Sequence, residues 1–212
     1  MRRVLLISLS LVLALVGWSA VNADDGFYVI PFRRKCPPVI GVPTTGQTTS
    51  YAPGDDGDLE KGVAWLTPRF TDNRNGTVTD NFTRLIWMKN ANAFDVQSWD
   101  NAISFASRLK SGDPGTGLTD RSQEGDWRLP NVRELQSLVD YAFLNPALPD
   151  TLGTGKWVEG DPFLGVQSNS YWTSTTSAFS VVGARFVSFI EGTEGSGSKE
   201  NYAFVWCVRD DK

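Results

Sequence analysis

The stretch GDWRLPNVRELQSLVDY, residues 125–141, decides the fold class of this chain. Asn131 and Glu134 stand three apart, the spacing of a capping box, in which each side chain satisfies a free amide at the start of a helix. Pro130 restricts the chain as it enters. Val132, Leu135, Leu138 and Val139 then recur at helical spacing and form one apolar stripe. This predicts the best-defined helix of the chain.

Working outward, a second helix is expected over Ser98–Leu109, where Trp99, Ala102, Ile103, Ala106 and Leu109 share a face. Ser98 is its candidate N-cap, and Gly112-Asp113-Pro114 follow as a stop. On either side of the two helices the period drops to two. Leu85–Met88 is a short apolar run. SYWTSTT (170–176) is a short strand, and ARFVSFI (184–190) and YAFVWCV (202–208) are longer ones, read as a hairpin across the polar loop 191–200. Strands, two helices, then strands indicate an α+β domain, with helices beside antiparallel sheet and long loops.

Ahead of these elements lies RFTDNRNGTVTD (69–80). Asn75-Gly76 tolerates the positive φ of a type I′ turn, so Phe70–Asp80 reads as a hairpin. The same oxygens suggest calcium, yet an EF-hand loop with Gly76 at position 6 puts Thr71 at position 1 and Phe82 at position 12, where acids belong. Asp72, Asn73, Asn75 and Asp80 therefore remain candidates only for an irregular calcium cage completed from elsewhere. No other cofactor is expected.

Residues 1–23 have the make-up of a signal peptide: Arg2 and Arg3, an apolar run from Val4 to Val16, and Val21-Asn22-Ala23 before Asp24. Residues 24–62, rich in Pro, Gly, Thr and Asp, lack a helical or strand period and read as an arm or linker lying over a domain at 63–212. The expected location is secreted or periplasmic. The formal charge is −4, and removal of a leader carrying two arginines and no acid makes it −6. An acidic chain without a basic run disfavours nucleic acid and a polybasic membrane patch, and no membrane insertion is expected once the leader is removed.

The chain has no histidine and two cysteines. The first count removes Ser-His-Asp and Cys-His nucleophile systems and His-ligated zinc. Cys36 and Cys207 are a disulfide candidate in an oxidising compartment. Among the tryptophans, Trp87, Trp99 and Trp127 sit in core-like patterns, whereas Trp157 and Trp172 lie in Gly/Ser/Thr-rich segments where a ring can reach solvent. Glu191, Glu194 and Glu200 bracket a polar loop; they supply carboxylates for a hydrolase of envelope polysaccharide, the enzymatic alternative.

Several blocks, in order, carry a resemblance: PRFTDNRNGTVTDNFTRLIWMKNAN, SWDNAISFASRL, GDWRLPNVRELQSLVDY, NPALP, YWTSTT and VWCVR. Together they resemble the Lcl C-terminal domain family, found in secreted bacterial proteins. The resemblance spans roughly residues 68–210 and implies a C-type-lectin-like fold, shared with formylglycine-generating enzymes. The catalytic cysteine pair of those enzymes has no counterpart here, and neither does the calcium-dependent sugar triplet of true C-type lectins. The resemblance also implies adhesion through a trimeric domain that binds sulfated polysaccharide, compatible with a homo-oligomer. Sulfate recognition needs clustered cations, whereas Arg185, Lys199 and Arg209 are scattered here. Many relatives carry glycine where Arg74 and Arg84 stand, and often a cysteine pair around Ala93 and Asp113.

The reading is a non-catalytic binding or adhesion module for a glycan or protein surface. In this fold the C-terminal sheet commonly forms the binding face. The expected ligand-binding residues are therefore Tyr171, Trp172, Arg185, Glu191, Glu194, Asn201 and Tyr202. A structural envelope component is the bland alternative.

Overall fold

The capping box forms as its spacing requires. In the computed structural model, which describes residues 41–211, Asn131 Oδ1 accepts from the Arg133 and Glu134 amides at 2.9 and 3.0 Å, and Glu134 Oε2 accepts from the Asn131 amide at 2.8 Å. The helix it starts is short, Val132–Gln136. Beyond it the Leu138 and Val139 amides reach back only three residues, to the Leu135 and Gln136 carbonyls, and Arg69 Nη2 donates to the Ser137 carbonyl at 2.7 Å. The Asp140 and Tyr141 amides donate instead to Ala147 and Thr45 carbonyls. Distant partners thus stop a helix that its apolar stripe would have continued, although Leu138 and Val139 still reach the core.

In chain order the elements are α1 (Asp56–Leu59), β1 (Phe70–Asp72), β2 (Thr77–Asp80), β3 (Ile86–Met88), β4 (Val96–Gln97), α2 (Trp99–Arg108), α3 (Val132–Gln136), β5 (Ser170–Thr176), β6 (Gly183–Ser188), β7 (Glu194–Ser198), β8 (Ala203–Phe204) and β9 (Val208–Arg209). They make an α+β domain with a four-stranded sheet, β1-β2-β3-β9, and a five-stranded sheet, β4-β8-β5-β6-β7. All strand pairs are antiparallel except β5 with β8. Helix α2 buries Ala102 and Ala106, with Leu109 just beyond it and Trp99 and Ile103 packed against the core, as its period predicts. No helix among the described residues is long and apolar enough to cross a membrane.

The deciding stretch is tied to both sheets. Arg128 exchanges two 3.0 Å backbone hydrogen bonds with Val208 at β9. At the bulge in β5, the Ser174 amide donates to the Pro130 carbonyl at 2.8 Å and Thr175 Oγ1 accepts from the Val132 amide at 3.1 Å. Between the sheets lies Trp206, fully buried. Its ring centroid lies 4.8 Å from that of Phe163 and 5.6–5.7 Å from those of Tyr171, Trp87 and Phe189. Its Nε1 donates to the Met88 carbonyl at 2.8 Å, leaving no buried donor unpaired on that ring.

Two expectations about strands need correction. YAFVWCV is not one strand: β8 joins the five-stranded sheet and β9 the other, with Trp206 between them. The hairpin partner of β6 is instead β7, inside the Gly- and Ser-rich segment expected to be a loop. Gly195 is what the sheet requires there. A Cβ at Gly195 would collide with the Phe186 ring, and one at Gly197 would touch Trp172 and Phe186 at 3.7 and 3.8 Å. An aromatic ring laid over strand glycines supplies the cover their own side chains lack.

The N-terminal hairpin forms, but its turn is not the two-residue type I′. Asp72 pairs with Val78, and residues 73–76 make the connection, with Arg74 and Gly76 at φ 58° and 83°. Gly76 has a second reason to be glycine, because a Cβ there would press on the Gly117–Leu118 backbone. Arg84 also has positive φ, 66°. Arg74 and Arg84 are the two positions where the resemblance implies glycine, and both occupy the region that glycine enters without steric cost.

Residues 41–63 run over this body. The Val63 amide donates to the Val42 carbonyl and the Thr44 amide to the Val63 carbonyl, while the Thr45 carbonyl accepts from Tyr141. Asp55 Oδ1 caps α1 by accepting from the Asp58 amide at 2.9 Å. The stretch read as having no helical period thus contains one turn of helix. The leader and Cys36 lie outside the described residues.

Candidate functional site

The polar letters of RFTDNRNGTVTD are held by protein partners. Asp80 is fully buried and accepts from Arg69 Nε and Nη2 at 2.9 and 3.0 Å, and from Thr83 Oγ1 at 2.8 Å. Arg69, also fully buried, lies 4.6 Å from the centre of the Trp65 ring and 5.0 Å from that of Phe70. Its Nη1 has no hydrogen-bond partner, and the rings around the guanidinium supply cation–π contact. Asn73 Nδ2 donates to Thr77 and Thr79 hydroxyls, and Asn75 Oδ1 accepts from the Thr77 amide and hydroxyl. Among the described residues no group of three or more His, Cys, Asp or Glu is placed to hold a metal ion.

Asp72 differs from these because it faces a cleft. Its Oδ2 accepts from Lys89 Nζ at 2.8 Å and its Oδ1 from the Arg74 amide at 2.9 Å. Partial burial works against the charged form, but Lys89 and the Arg74 amide outweigh it and hold the carboxyl below the ordinary aspartate range. The cleft, about 350 Å³, is lined by Asp72, Arg74 and Gly76 of the hairpin, Lys89 and Asn90 beyond β3, Thr116 and Gly117 of the long loop, and Leu164. The Asn90 and Leu164 segments run side by side: the Leu164 amide donates to Lys89 and the Ala91 amide to Leu164. Gly165 lets this wall close, since a Cβ there would lie 3.2 Å from both Asn90 Oδ1 and Asn92 Cβ. Asn92 Oδ1 is buried behind the wall without a partner.

A second depression, about 230 Å³, is lined by Ile86, Asp120, Arg121, Ser122, Asp126, Arg209 and Asp211. Asp120 is consumed inside it, accepting from Arg209 Nε at 3.2 Å and Ser122 Oγ at 2.7 Å. The 350 Å³ cleft is the roomier of the two. It is the candidate site.

The sequence profile of the Lcl C-terminal domain matches residues 76–209, well over half of the chain. The chain belongs to the Lcl C-terminal domain family. No curated protein matches it significantly. In this Lcl domain the matched region contributes Gly76, Lys89, Asn90, Thr116, Gly117 and Leu164 to the cleft, while Asp72 and Arg74 precede it.

The Lcl domain separates the residues expected to bind ligand. Tyr171 and Trp172 are 0% and 1% exposed, which corrects the reading of Trp172 as a solvent-facing ring. They lie on β5, the middle strand of its sheet, where both faces are covered. Tyr171 Oη accepts from the Gln167 amide at 2.8 Å, and burial pushes its hydroxyl pKa up despite that bond. Trp172 Nε1 donates to the Gln97 carbonyl at 2.9 Å. Arg185 and Glu194 pair at 3.3 Å across β6 and β7. Glu191, Asn201 and Tyr202 are exposed, and Asn201 Nδ2 would lie 3.4 Å from a Cβ at Gly197. Cys207 is a free, fully buried thiol, and burial pushes its pKa up, away from the reactive thiolate.

Sequence reasoning missed Lys89, Asn90, Thr116 and Leu164 as a group. The only local signal was a polar Lys-Asn pair straight after a buried strand, opposite a glycine-rich loop.

Proposed function

We propose that this Lcl domain is a non-catalytic binding module of the bacterial envelope, and that the cleft beside the β1–β2 hairpin seats a polar glycan unit. Family membership is consistent with a non-catalytic domain of envelope proteins. The observation that carries the reading is the lining: two cations, Arg74 and Lys89, a carboxylate held ionised, the Asn90 amide and one exposed leucine around about 350 Å³. Sugar hydroxyls both donate and accept, and their C–H faces suit a single apolar wall. The volume lies at the small end for ligand sites, the size of one or two sugar rings.

Glycoside hydrolysis needs two carboxyl groups flanking the bond. The lining contains one, Asp72, and it is tied to Lys89. The signal-peptide pattern of residues 1–23 supports a secreted or periplasmic location. The test is a glycan array probed with the chain from Asp24 onward beside Lys89→Ala and Asn90→Ala. Glycan binding that weakens about tenfold or more in each variant is expected, as for loss of one buried polar contact. Binding unchanged in both variants, or saccharide turnover lost in Glu191→Gln, overturns the proposal.

A further inference from the structure

Away from that cleft, the connection between β5 and β6 projects three apolar side chains: Phe179 is 98% exposed, Val181 80% and Val182 67%. The projection is built rather than frayed. Ser177 donates its amide to the Gly183 carbonyl at 2.9 Å, Gly183 donates to Ser180 at 3.0 Å, and Lys199 donates to Val182 at 2.9 Å. From Pro162 to Ala184 the sequence carries no charged side chain, in a chain that is acidic as a whole. Lys199, whose amide bonds Val182, lies with its Nζ 3.9 Å from the centre of the Trp99 ring, and the flanking Arg185 is paired with Glu194.

We infer that the Phe179-Val181-Val182 tip inserts reversibly into the interface of a zwitterionic phospholipid bilayer. Two arguments favour lipid over a protein pocket. A phenylalanine buries roughly 150–250 Å² and each valine less, so the tip falls well short of the roughly 800 Å² per partner of a specific protein interface. A convex tip also needs a surface that yields around it, and acyl chains do so without a matching cavity. Charge selects the lipid: with a formal charge of −4, or −6 without residues 1–23, the protein is repelled by anionic headgroups, while the uncharged tip meets no such barrier at a zwitterionic surface. Such insertion departs from the expectation, read from composition, of no membrane insertion; it is an interfacial contact of a loop, comparable to marginal single-chain anchoring rather than to a membrane span.

Vesicle flotation tests this with the chain from Asp24 onward, so that the apolar leader contributes nothing. Flotation with phosphatidylcholine–phosphatidylethanolamine vesicles is expected, insensitive to salt and weaker on vesicles enriched in phosphatidylglycerol. Phe179→Ser should weaken it about tenfold, and the triple variant F179S/V181S/V182S about a hundredfold or more. Because all three side chains are exposed, near-ultraviolet circular dichroism of the triple variant should match the parent. Phe179→Trp should retain flotation and show added fluorescence quenching by brominated acyl chains. Absence of flotation, flotation unchanged in the triple variant, or flotation confined to anionic vesicles and abolished by salt overturns the inference. The cleft variant Lys89→Ala should float like the parent, so failure here is separable from failure of the glycan reading.

Discussion

The two hairpins, one in each sheet, are held by opposite means. The β1–β2 hairpin rests on a buried charge: Asp80 grips Arg69, and Arg69 in turn is lined by Trp65 and Phe70 and bonded to Ser137. The β6–β7 hairpin rests on rings: Phe186 lies over Gly195, and Trp172 reaches Gly197. The first has the letters of a ligand cage and spends them mostly on its own fold. The second has the letters of a linker and is a paired strand. Residue type indicates which interactions are available, and the partner brought by the rest of the chain determines which one is used.

The largest effect should come from breaking the charge. Asp80→Ala leaves Arg69 buried without its carboxylate, an expected loss of about 3–5 kcal/mol, read by chemical denaturation. An equally stable variant would mean that Arg69 draws its stabilisation from the aromatic lining and Ser137 alone.

Next is pH. Asp140 is 2% exposed beneath Gly46, and burial pushes its carboxyl up to about 6, with the Asp150 charge adding to the rise and the Ala142 amide and the Arg69 charge opposing it. A raised folded-state pKa stabilises most below the unfolded value, and that contribution is lost as pH climbs through about 6. The loss is on the order of 3 kcal/mol. In Asp140→Asn this dependence should vanish, so the melting temperature of the variant should gain on the parent between about pH 4 and 7. A constant difference between the two melting curves counts against buried Asp140 as the titrating group. The ring-held hairpin should be indifferent to the same change.

The smallest effect tests the rings. Gly195→Val should cost about 1–3 kcal/mol through overpacking against Phe186, and much of that should be recovered in the double variant with Phe186→Ala. Additive losses in this cycle would show that the two residues do not bear on one another.

What the sequence disclosed follows the same division. The capping box at Asn131 and Glu134 and the α2 face were legible because both are local. The length of α3 was not, since the carbonyl that draws the Tyr141 amide away belongs to Thr45, far back along the chain. β7 was hidden because glycine and serine have low strand propensity, and the aromatic cover that makes them suitable comes from another strand. Trp172 looked exposed among serines and threonines, yet the first half of β5 is covered on both faces, burying Tyr171 on one and Trp172 on the other. The cleft draws on four separate stretches of chain, so no single window of sequence contains its lining.

Trp206 belongs to neither hairpin, and its position along the chain matters. The indole that both sheets share is made after nearly everything it must join, and β9 follows it directly. A nascent chain stopped short of that residue has two unfinished half-cores and no shared keystone. A product cut off before Trp206 should fall to proteases rather than persist as a partial fold.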